Sequence, residues 1–114
     1  MSRDASLYLE DILTACQKIQ RYTVGMGFAE FRGDELTYDA VIRNLEIIGE
    51  AARNVEPEFQ AQYPEVEWRS ITVFRDILTH GYFSAKDEIV WDIVQNKVPQ
   101  LVELVWSLLD SLKS

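Results

Sequence analysis

The sequence of 114 residues predicts an all-α protein, an up-and-down bundle of four main helices with short satellite helices. Apolar residues recur at steps of three and four along most of the chain, which places them on one face of a helix. No stretch shows the two-residue alternation that is typical of half-buried strands. A chain of this length with 47% hydrophobic residues can bury a core of its own. We therefore expect a single domain over residues 1–114.

The first main helix is predicted from an apolar face that repeats in steps of four and three. The members of this face are Tyr8, Ile12, Ala15, Ile19, Tyr22 and Met26. Gly25 and Gly27 interrupt the pattern, because glycine is a poor helix former and favours turns. Phe28 and Phe31 follow directly, and we expect them on a short turn.

The second main helix opens at an acidic residue, with Asp34 or Thr37 as the candidate N-cap. The same four-three step then continues through a second apolar face. This face consists of Val41, Leu45, Ile48, Ala52 and Val55. Pro57 and Pro64 bracket a short segment after it, which carries Phe59 and Tyr63.

The third main helix is predicted to begin near residues 65–68 and to stop at Gly81, since glycine commonly follows a helix end. Its apolar face comprises Trp68, Ile71, Phe74 or Arg75, and Leu78. The only histidine, His80, falls in its last turn.

The fourth main helix is predicted to start at Ser84, because Asp87 three residues later resembles the acidic member of a capping box. Apolar residues then repeat as far as Leu112. Pro99 lies inside this run and lacks a backbone N–H. We expect it to kink or split the helix near residues 96–98.

The apolar faces are wider than a monomeric bundle of this size needs. Ile42 and Ile47 lie beside the main face of the second helix, and Trp91, Val102 and Trp106 beside that of the last. Isolated apolar residues are common on surfaces, but so many together favour burial against a second copy. A homodimer is therefore slightly preferred over a monomer.

The charge, the cysteine content and the lack of long apolar runs exclude several classes of protein. The net charge of −8 argues against a general nucleic-acid coat, which needs clustered Lys and Arg. The single cysteine, Cys16, cannot form an internal disulfide, and the N-terminus has no signal-peptide pattern. The most apolar run, residues 101–109, is broken by Glu103 and is too short to cross a bilayer. We expect a cytoplasmic protein that does not associate with membranes.

The one locally basic stretch contains the only histidine. Residues 68–86 carry three cations and one carboxylate, whereas residues 1–67 sum to −7 and residues 87–114 to −3. Arg75 and Tyr82, seven apart, share a face of an ideal helix, but His80 lies about 140° from Arg75. Arg75 and His80 can therefore lie close together only if the helix end is irregular or if two copies of the chain meet. From the residues alone, His80 as a helix C-terminal residue and Tyr82 as a packing residue remain favoured.

Other chemistries find little support in the sequence. One histidine and one cysteine far apart make no zinc site, and Glu46 and Glu50 fit a solvated or interface edge better than a metal pair. Neither a G-x-S-x-G nucleophile motif nor a phosphate-binding glycine loop is present. We therefore expect no metal and no cofactor.

The pattern R-x4-H-x-Y, formed by Arg75, His80 and Tyr82 with Asp76 after the arginine, resembles the signature of HEPN-domain proteins. It is most similar to that of the HepT-like toxins of bacterial and archaeal toxin–antitoxin pairs. Similarity to the family extends over nearly the whole chain. It includes residues 7–12, residues 39–51, Trp68 with Arg69, residues 89–91, and Asn96 with Pro99.

This resemblance implies a homodimeric HEPN bundle in which both copies of the motif line one cleft. It implies a metal-independent endoribonuclease of a type VII-like system, with Arg75 and His80 catalytic and Asp76 supporting them. It also implies a partner nucleotidyltransferase of the MntA type, using ATP and magnesium, that adenylylates Tyr82. Asparagine is commoner than aspartate after the arginine, so the charge of Asp76 is expected to lower activity.

The implied chemistry is consistent with these residue types. Metal-free RNA cleavage needs a group that exchanges a proton near neutral pH, which histidine supplies, and a cation for the phosphoryl oxygens, which arginine supplies. The alternative is a non-catalytic HEPN scaffold that binds a nucleotidyltransferase or a nucleotide, and the acidic composition favours it. A third interpretation is a purely structural dimerisation domain.

Overall fold

The structure, a computed structural model, describes residues 4–72 and 83–113. Every regular element in these two ranges is a helix, which confirms the all-α bundle. We number the α-helices in chain order. They are α1 (Ala5–Thr23), α2 (Phe28–Gly33), α3 (Glu35–Asn54), α4 (Pro57–Gln62), α5 (Trp68–Thr72), α6 (Phe83–Asp92) and, after a π-helical turn (Ile93–Lys97), α7 (Val98–Lys113).

Helix α1 begins after Asp4, whose carboxylate accepts a hydrogen bond from the Ser6 N–H at 2.9 Å. Of the predicted apolar face, Ile12, Ala15 and Ile19 are buried, whereas Tyr8 and Tyr22 are half-buried. The helix ends at Thr23, however, so the expected last member of that face, Met26, lies in the following turn. Gly25 has a backbone φ of 76° in this turn, a value that residues with a Cβ atom rarely adopt.

The expectation of a short turn at Phe28 and Phe31 is wrong, because both lie in α2. Asp34 joins α2 to α3: its N–H bonds the Phe31 carbonyl, and its carboxylate accepts from the Thr37 N–H at 3.0 Å. Of the two candidate N-caps for the second main helix, Asp34 is therefore the cap and Thr37 is the donor.

Helix α3 buries the predicted face and ends at Asn54, so Val55 is buried just beyond the helix. The segment between the two prolines forms α4, with Pro57 in its first turn. The Gln60 side chain holds α4 against the end of α3 by donating to the carbonyls of Ala52 and Val55, each at 3.1 Å.

The C-terminal apolar run is split as expected, but by a change of helix type. A π-helical turn precedes α7, and the Val98 N–H bonds the Ile93 carbonyl, five residues back. Pro99 is the second residue of α7, where its missing N–H costs no hydrogen bond within α7. Ser84, the expected start of this run, already lies inside α6.

One cluster of buried side chains connects all the long helices. Helix α1 packs mainly against α3 and α7, and α5 packs against α3. The largest fully buried side chains are Phe31, Leu9, Ile12, Ile19, Leu45 and Ile48. Within residues 4–72 and 83–113, no helix combines the length and apolar character needed to cross a membrane.

Most of the surplus apolar positions are used within the chain. Ile42, Ile47, Trp91 and Val102 are partly buried and pack against the core, whereas Trp106 is 61% exposed. The width of the apolar faces therefore reflects packing against the core of the same chain more than it indicates a second copy. The homodimer stays a prediction. The third main helix is described only as α5, and its predicted end at Gly81 lies outside the described residues.

Candidate active site

The predicted site residues Arg75, Asp76, His80 and Tyr82 lie outside the described residues. Their roles and mutual geometry therefore remain sequence-based predictions. The structure does describe both flanks of the motif, namely α5 before it and α6 after it. The contacts of these two helices determine how the described chain is held directly before and after the motif.

The N-terminal flank is anchored by Trp68. Its indole is buried, and Nε1 donates to the Tyr63 carbonyl at 3.0 Å. The Phe59 ring meets the indole edge-on, with centroids 6.4 Å apart. Ile71, one turn later, is also buried in the core. Because an indole N–H is costly to bury unpaired, this arrangement specifies one orientation for α5.

The C-terminal flank is anchored by Asp87, in the second turn of α6. The Tyr38 hydroxyl of α3 donates to its Oδ1 at 2.7 Å. The Arg32 Nε of α2 lies 3.3 Å from its Oδ2. One carboxylate thus joins three helices, and both of its oxygens have a partner.

The phenol of Tyr38 is held in its neutral, donating form. Burial, the hydrogen bond to Asp87 and the negative charges of Asp87 and Asp39 all raise the pKa of Tyr38 above its ordinary value. Because the Tyr38 hydroxyl keeps its proton, it can continue to donate a hydrogen bond to the Asp87 carboxylate.

An aromatic cluster packs beside this contact. The Phe31 ring lies 4.9 Å from the Trp91 ring and 5.2 Å from the Tyr38 ring, centroid to centroid, and Phe28 lies 6.4 Å from Trp91. Phe31 is fully buried, and its ring contacts α3 through Tyr38 and α6 through Trp91, so that α2 packs between these two helices. Polar and apolar contacts therefore fix the same region of α6.

Each flank of the motif carries one cationic side chain that the structure describes. Arg69 on α5 is exposed and Lys86 on α6 is half-buried, and neither forms an ion pair with a described residue. These two cations belong to the basic stretch predicted from the sequence, and they are available to a phosphate.

Glu46 and Glu50 on α3 behave as a solvated edge. Glu46 lies 3.9 Å from Arg43, and Glu50 lies 3.7 Å from Arg53, all with substantially exposed side chains. No group of three His, Cys, Asp or Glu within residues 4–72 and 83–113 could hold a metal ion. His80 lies outside those ranges, so a metal-free site stays a prediction.

A groove of about 300 Å³ runs beside the end of α5. Ile71, Leu101 and Leu104 form its apolar floor. Its polar lining consists of Glu65, Glu67, Ser70, Lys97 and Gln100. The groove therefore has mixed charge, with its two glutamates just before α5 in the chain.

Comparison with known proteins identifies the family. The family model described as ribonuclease HepT-like matches residues 12–108, a span that includes the four predicted site residues. The chain belongs to the HepT-like ribonuclease family. The HEPN-type resemblance is thus confirmed at the level of this family.

Curated HepT-like relatives match over most of their length. A protein of Thermococcus cleftensis named "Probable ribonuclease HepT" is 41% identical over 89% of this chain and 92% of its own. A Methanocaldococcus jannaschii protein, named provisionally as an RNase, is 40% identical over 97% of this chain and 92% of its own. A Caldanaerobacter subterraneus protein, also named provisionally as an RNase, is 36% identical over 93% and 95%. No solved structure gives a significant match.

Sequence reasoning missed the tertiary role of Asp87. It assigned Asp87 to the start of its own helix, whereas the carboxylate bonds Tyr38, 49 residues earlier in the chain. No local pattern in the sequence indicates this pairing, because the two residues lie 49 positions apart.

Proposed function

We propose that this HepT-like protein is the toxin of a type VII-like toxin–antitoxin pair and acts as a metal-independent endoribonuclease. The observation that carries the proposal is the R-x4-H-x-Y motif within a match to the family over residues 12–108. Relatives named as ribonucleases at about 40% identity support the reaction class. Arg69 and Lys86 on the motif's flanks, which form no ion pair with a described residue, also suit an RNA substrate.

In the proposed reaction, the ribose 2′-hydroxyl attacks the adjacent phosphorus and the 5′-oxygen leaves. His80 takes the proton from the attacking hydroxyl or returns one to the leaving oxygen. Arg75 binds the phosphoryl oxygens, where negative charge develops, through its planar fork of donors. The products are a 2′,3′-cyclic phosphate and a 5′-hydroxyl. Asp76 supports the pair, and its charge reduces the attraction of Arg75 for phosphate.

A homodimer would place two copies of the motif in one cleft. Two histidines then become available to one phosphodiester, one as the base and the other as the acid. This arrangement also removes the difficulty that Arg75 and His80 lie about 140° apart on an ideal helix.

The nuclease proposal is tested with purified protein and single-stranded RNA. We expect wild type to cut RNA with and without EDTA, leaving cyclic-phosphate ends, and Arg75→Ala and His80→Ala to lose at least about a hundredfold in rate. Arg21→Ala, which removes an exposed arginine from α1, is the control and should cut normally. Cleavage that stops with EDTA, or both site variants cutting like wild type, would refute the mechanism.

Regulation is proposed to occur at Tyr82. A partner nucleotidyltransferase of the MntA type would transfer AMP from ATP to the phenolic oxygen, releasing pyrophosphate. The attached group adds a base and a negative phosphate beside Arg75 and His80, so bulk and like-charge repulsion both oppose RNA binding. Arg75 would itself pair with the new phosphate.

The Tyr82 assignment is tested by co-expression with a nucleotidyltransferase encoded next to the toxin gene. We expect AMP-sized mass additions on the Tyr82 peptide of wild type. Tyr82→Phe should cut RNA as wild type does but escape inactivation by the partner. Additions that map to other peptides would contradict the regulatory assignment and leave the nuclease assignment standing.

A non-catalytic scaffold is the second candidate, favoured by the net charge of −8. Such a protein would bind a nucleotidyltransferase or a nucleotide through the same fold and would have no need of Arg75 or His80. Tight binding of the partner by a purified protein that never cleaves RNA would support this candidate over the nuclease.

A further inference from the structure

We propose that Asp87, held by Tyr38 and Arg32, is a positioning residue for the motif, because it fixes the helix into which the motif leads. The set of Asp87, Tyr38 and Arg32 is called the Asp87 clamp. The proposal rests on the proposed ribonuclease function, and the clamp itself lies wholly within the described residues. None of its three members is proposed to touch the RNA.

The geometry of the clamp is that of a specific tertiary bond. The Tyr38–Asp87 hydrogen bond, at 2.7 Å, joins residues 49 apart in sequence and involves a charged acceptor. Charge-assisted bonds of this length are among the strongest in proteins. The side chain of Asp87 is only 23% exposed, so water competes weakly for its oxygens, whereas that of Arg32 is 62% exposed. Tyr38 is therefore the principal partner and Arg32 the secondary one.

The position of the clamp along the chain gives it a role beyond core packing. Asp87 is the fifth residue of α6 and lies five residues after Tyr82 and seven after His80. A rotation or shift of the first turns of α6 would therefore be passed directly to the motif. Displacements of about 1 Å at a reacting group can cost a hundredfold in rate.

The apolar contacts of α6 do not replace this function. Val90 and Trp91 hold the helix from its eighth residue onward, and Val90 is fully buried. Both contacts lie beyond Asp87 and are therefore farther along the chain from the motif than the clamp is. Among the side chains of residues 86–92, which the structure describes, Asp87 alone forms polar contacts with α2 and α3.

The experiment compares steady-state RNA cleavage by wild type, Tyr38→Phe, Asp87→Ala and Asp87→Asn. We expect Tyr38→Phe and Asp87→Ala to lose ten- to a hundredfold in kcat with KM within about twofold. Asp87→Asn keeps an oxygen that accepts from Tyr38, so it should recover most of kcat. Tyr38→Phe combined with Asp87→Ala should be no worse than Asp87→Ala alone, because both substitutions break the same hydrogen bond.

A matched control separates positioning from loss of stability. Ile12→Val removes one buried methyl group from α1, which packs mainly against α3 and α7 and anchors neither flank of the motif. It should lower the melting temperature about as much as Tyr38→Phe does, while kcat stays at the wild-type value. Equal losses of kcat in Ile12→Val and Tyr38→Phe would overturn the proposal, since kcat would then only follow stability.

Hydrogen exchange gives a readout that does not depend on RNA cleavage. In Tyr38→Phe we expect at least tenfold faster exchange of amides in peptides from residues 83–92, with residues 5–23 unchanged. Unchanged exchange in residues 83–92 would overturn the clamp itself. A wild type that cuts no RNA would refute the proposed ribonuclease and, with it, any catalytic positioning, while faster exchange would still establish the anchor.

Discussion

Cys16 and Asp87 show how burial changes the behaviour of single side chains. The thiol of Cys16 is fully buried on the inward face of α1, and burial raises its pKa to about 12. A thiolate is the reactive form of cysteine, so this thiol is inert in the folded protein. Asp87 also has restricted access to water, but it has partners for both oxygens and stays in a polar network.

The buried thiol predicts a specific pH dependence of stability. The ordinary pKa of 9.0 rises to about 12 on folding, so the unfolded chain loses the proton first as pH rises. The contribution of Cys16 is therefore complete below about pH 9 and decreases up to about pH 12. Relative to Cys16→Ala, wild type should lose about 1.4 kcal/mol between pH 8 and pH 10.

This prediction is checked by urea unfolding of both proteins at pH 8 and pH 10. Titration of all other groups is common to the two chains and cancels in the difference. In addition, a thiol reagent should react with the native protein only as fast as it unfolds. Rapid labelling under native conditions, or a difference that does not change with pH, would show that Cys16 is not enclosed as described.

At the scale of elements, the junctions decide where helices begin and end. Asp34 serves both neighbours, since its N–H closes α2 and its carboxylate caps α3. The π-helical turn before α7 shifts the helix register just ahead of Pro99. The Asp34 junction connects α2 directly to α3, and Phe31 of α2 lies fully buried in the core.

Removal of the Asp34 cap should destabilise the protein through α3. In Asp34→Ala, the Thr37 N–H loses its acceptor at 3.0 Å, at a cost of about 1 kcal/mol. For a chain of this size we expect the melting temperature to fall by about 4 °C. Differential scanning calorimetry measures the change. Asp39→Ala, on the exposed side of the same helix, is the control, and an equal loss there would contradict a capping effect.

At the scale of the whole molecule, the open question is whether two copies combine. Only part of the apolar surplus that favoured a second copy remains exposed, chiefly Trp106. The proposed mechanism nonetheless requires two motifs in one cleft. Oligomeric state is therefore the most direct test of the shared site.

We expect a homodimer in solution. Light scattering of the purified protein should give about twice the chain mass of 13.2 kDa. Measurements over a range of micromolar concentrations then show whether the assembly dissociates. A mass of one chain throughout that range would count strongly against a shared active site, while leaving the HepT-like fold unaffected.

The sequence by itself determined the helical class, the faces of α1 and α3 that are buried, and the family. Apolar periodicity depends on neighbours three and four residues apart, so it can be read without the fold. The motif of Arg75, His80 and Tyr82 was identified by its resemblance to the family signature, together with the flanking segments. Its geometry remains a prediction, because those residues lie outside the described part of the chain.

Only the tertiary structure decided how the motif's flanks are held. The Trp68–Tyr63 bond, the aromatic cluster at Phe31 and the bond from Tyr38 to Asp87 all depend on which helices become neighbours. A local pattern assigns Asp87 to its own helix start, because sequence spacing cannot show a partner 49 residues away. Side-chain pairing over such separations is set by packing of the whole core, and local propensity carries no information about it.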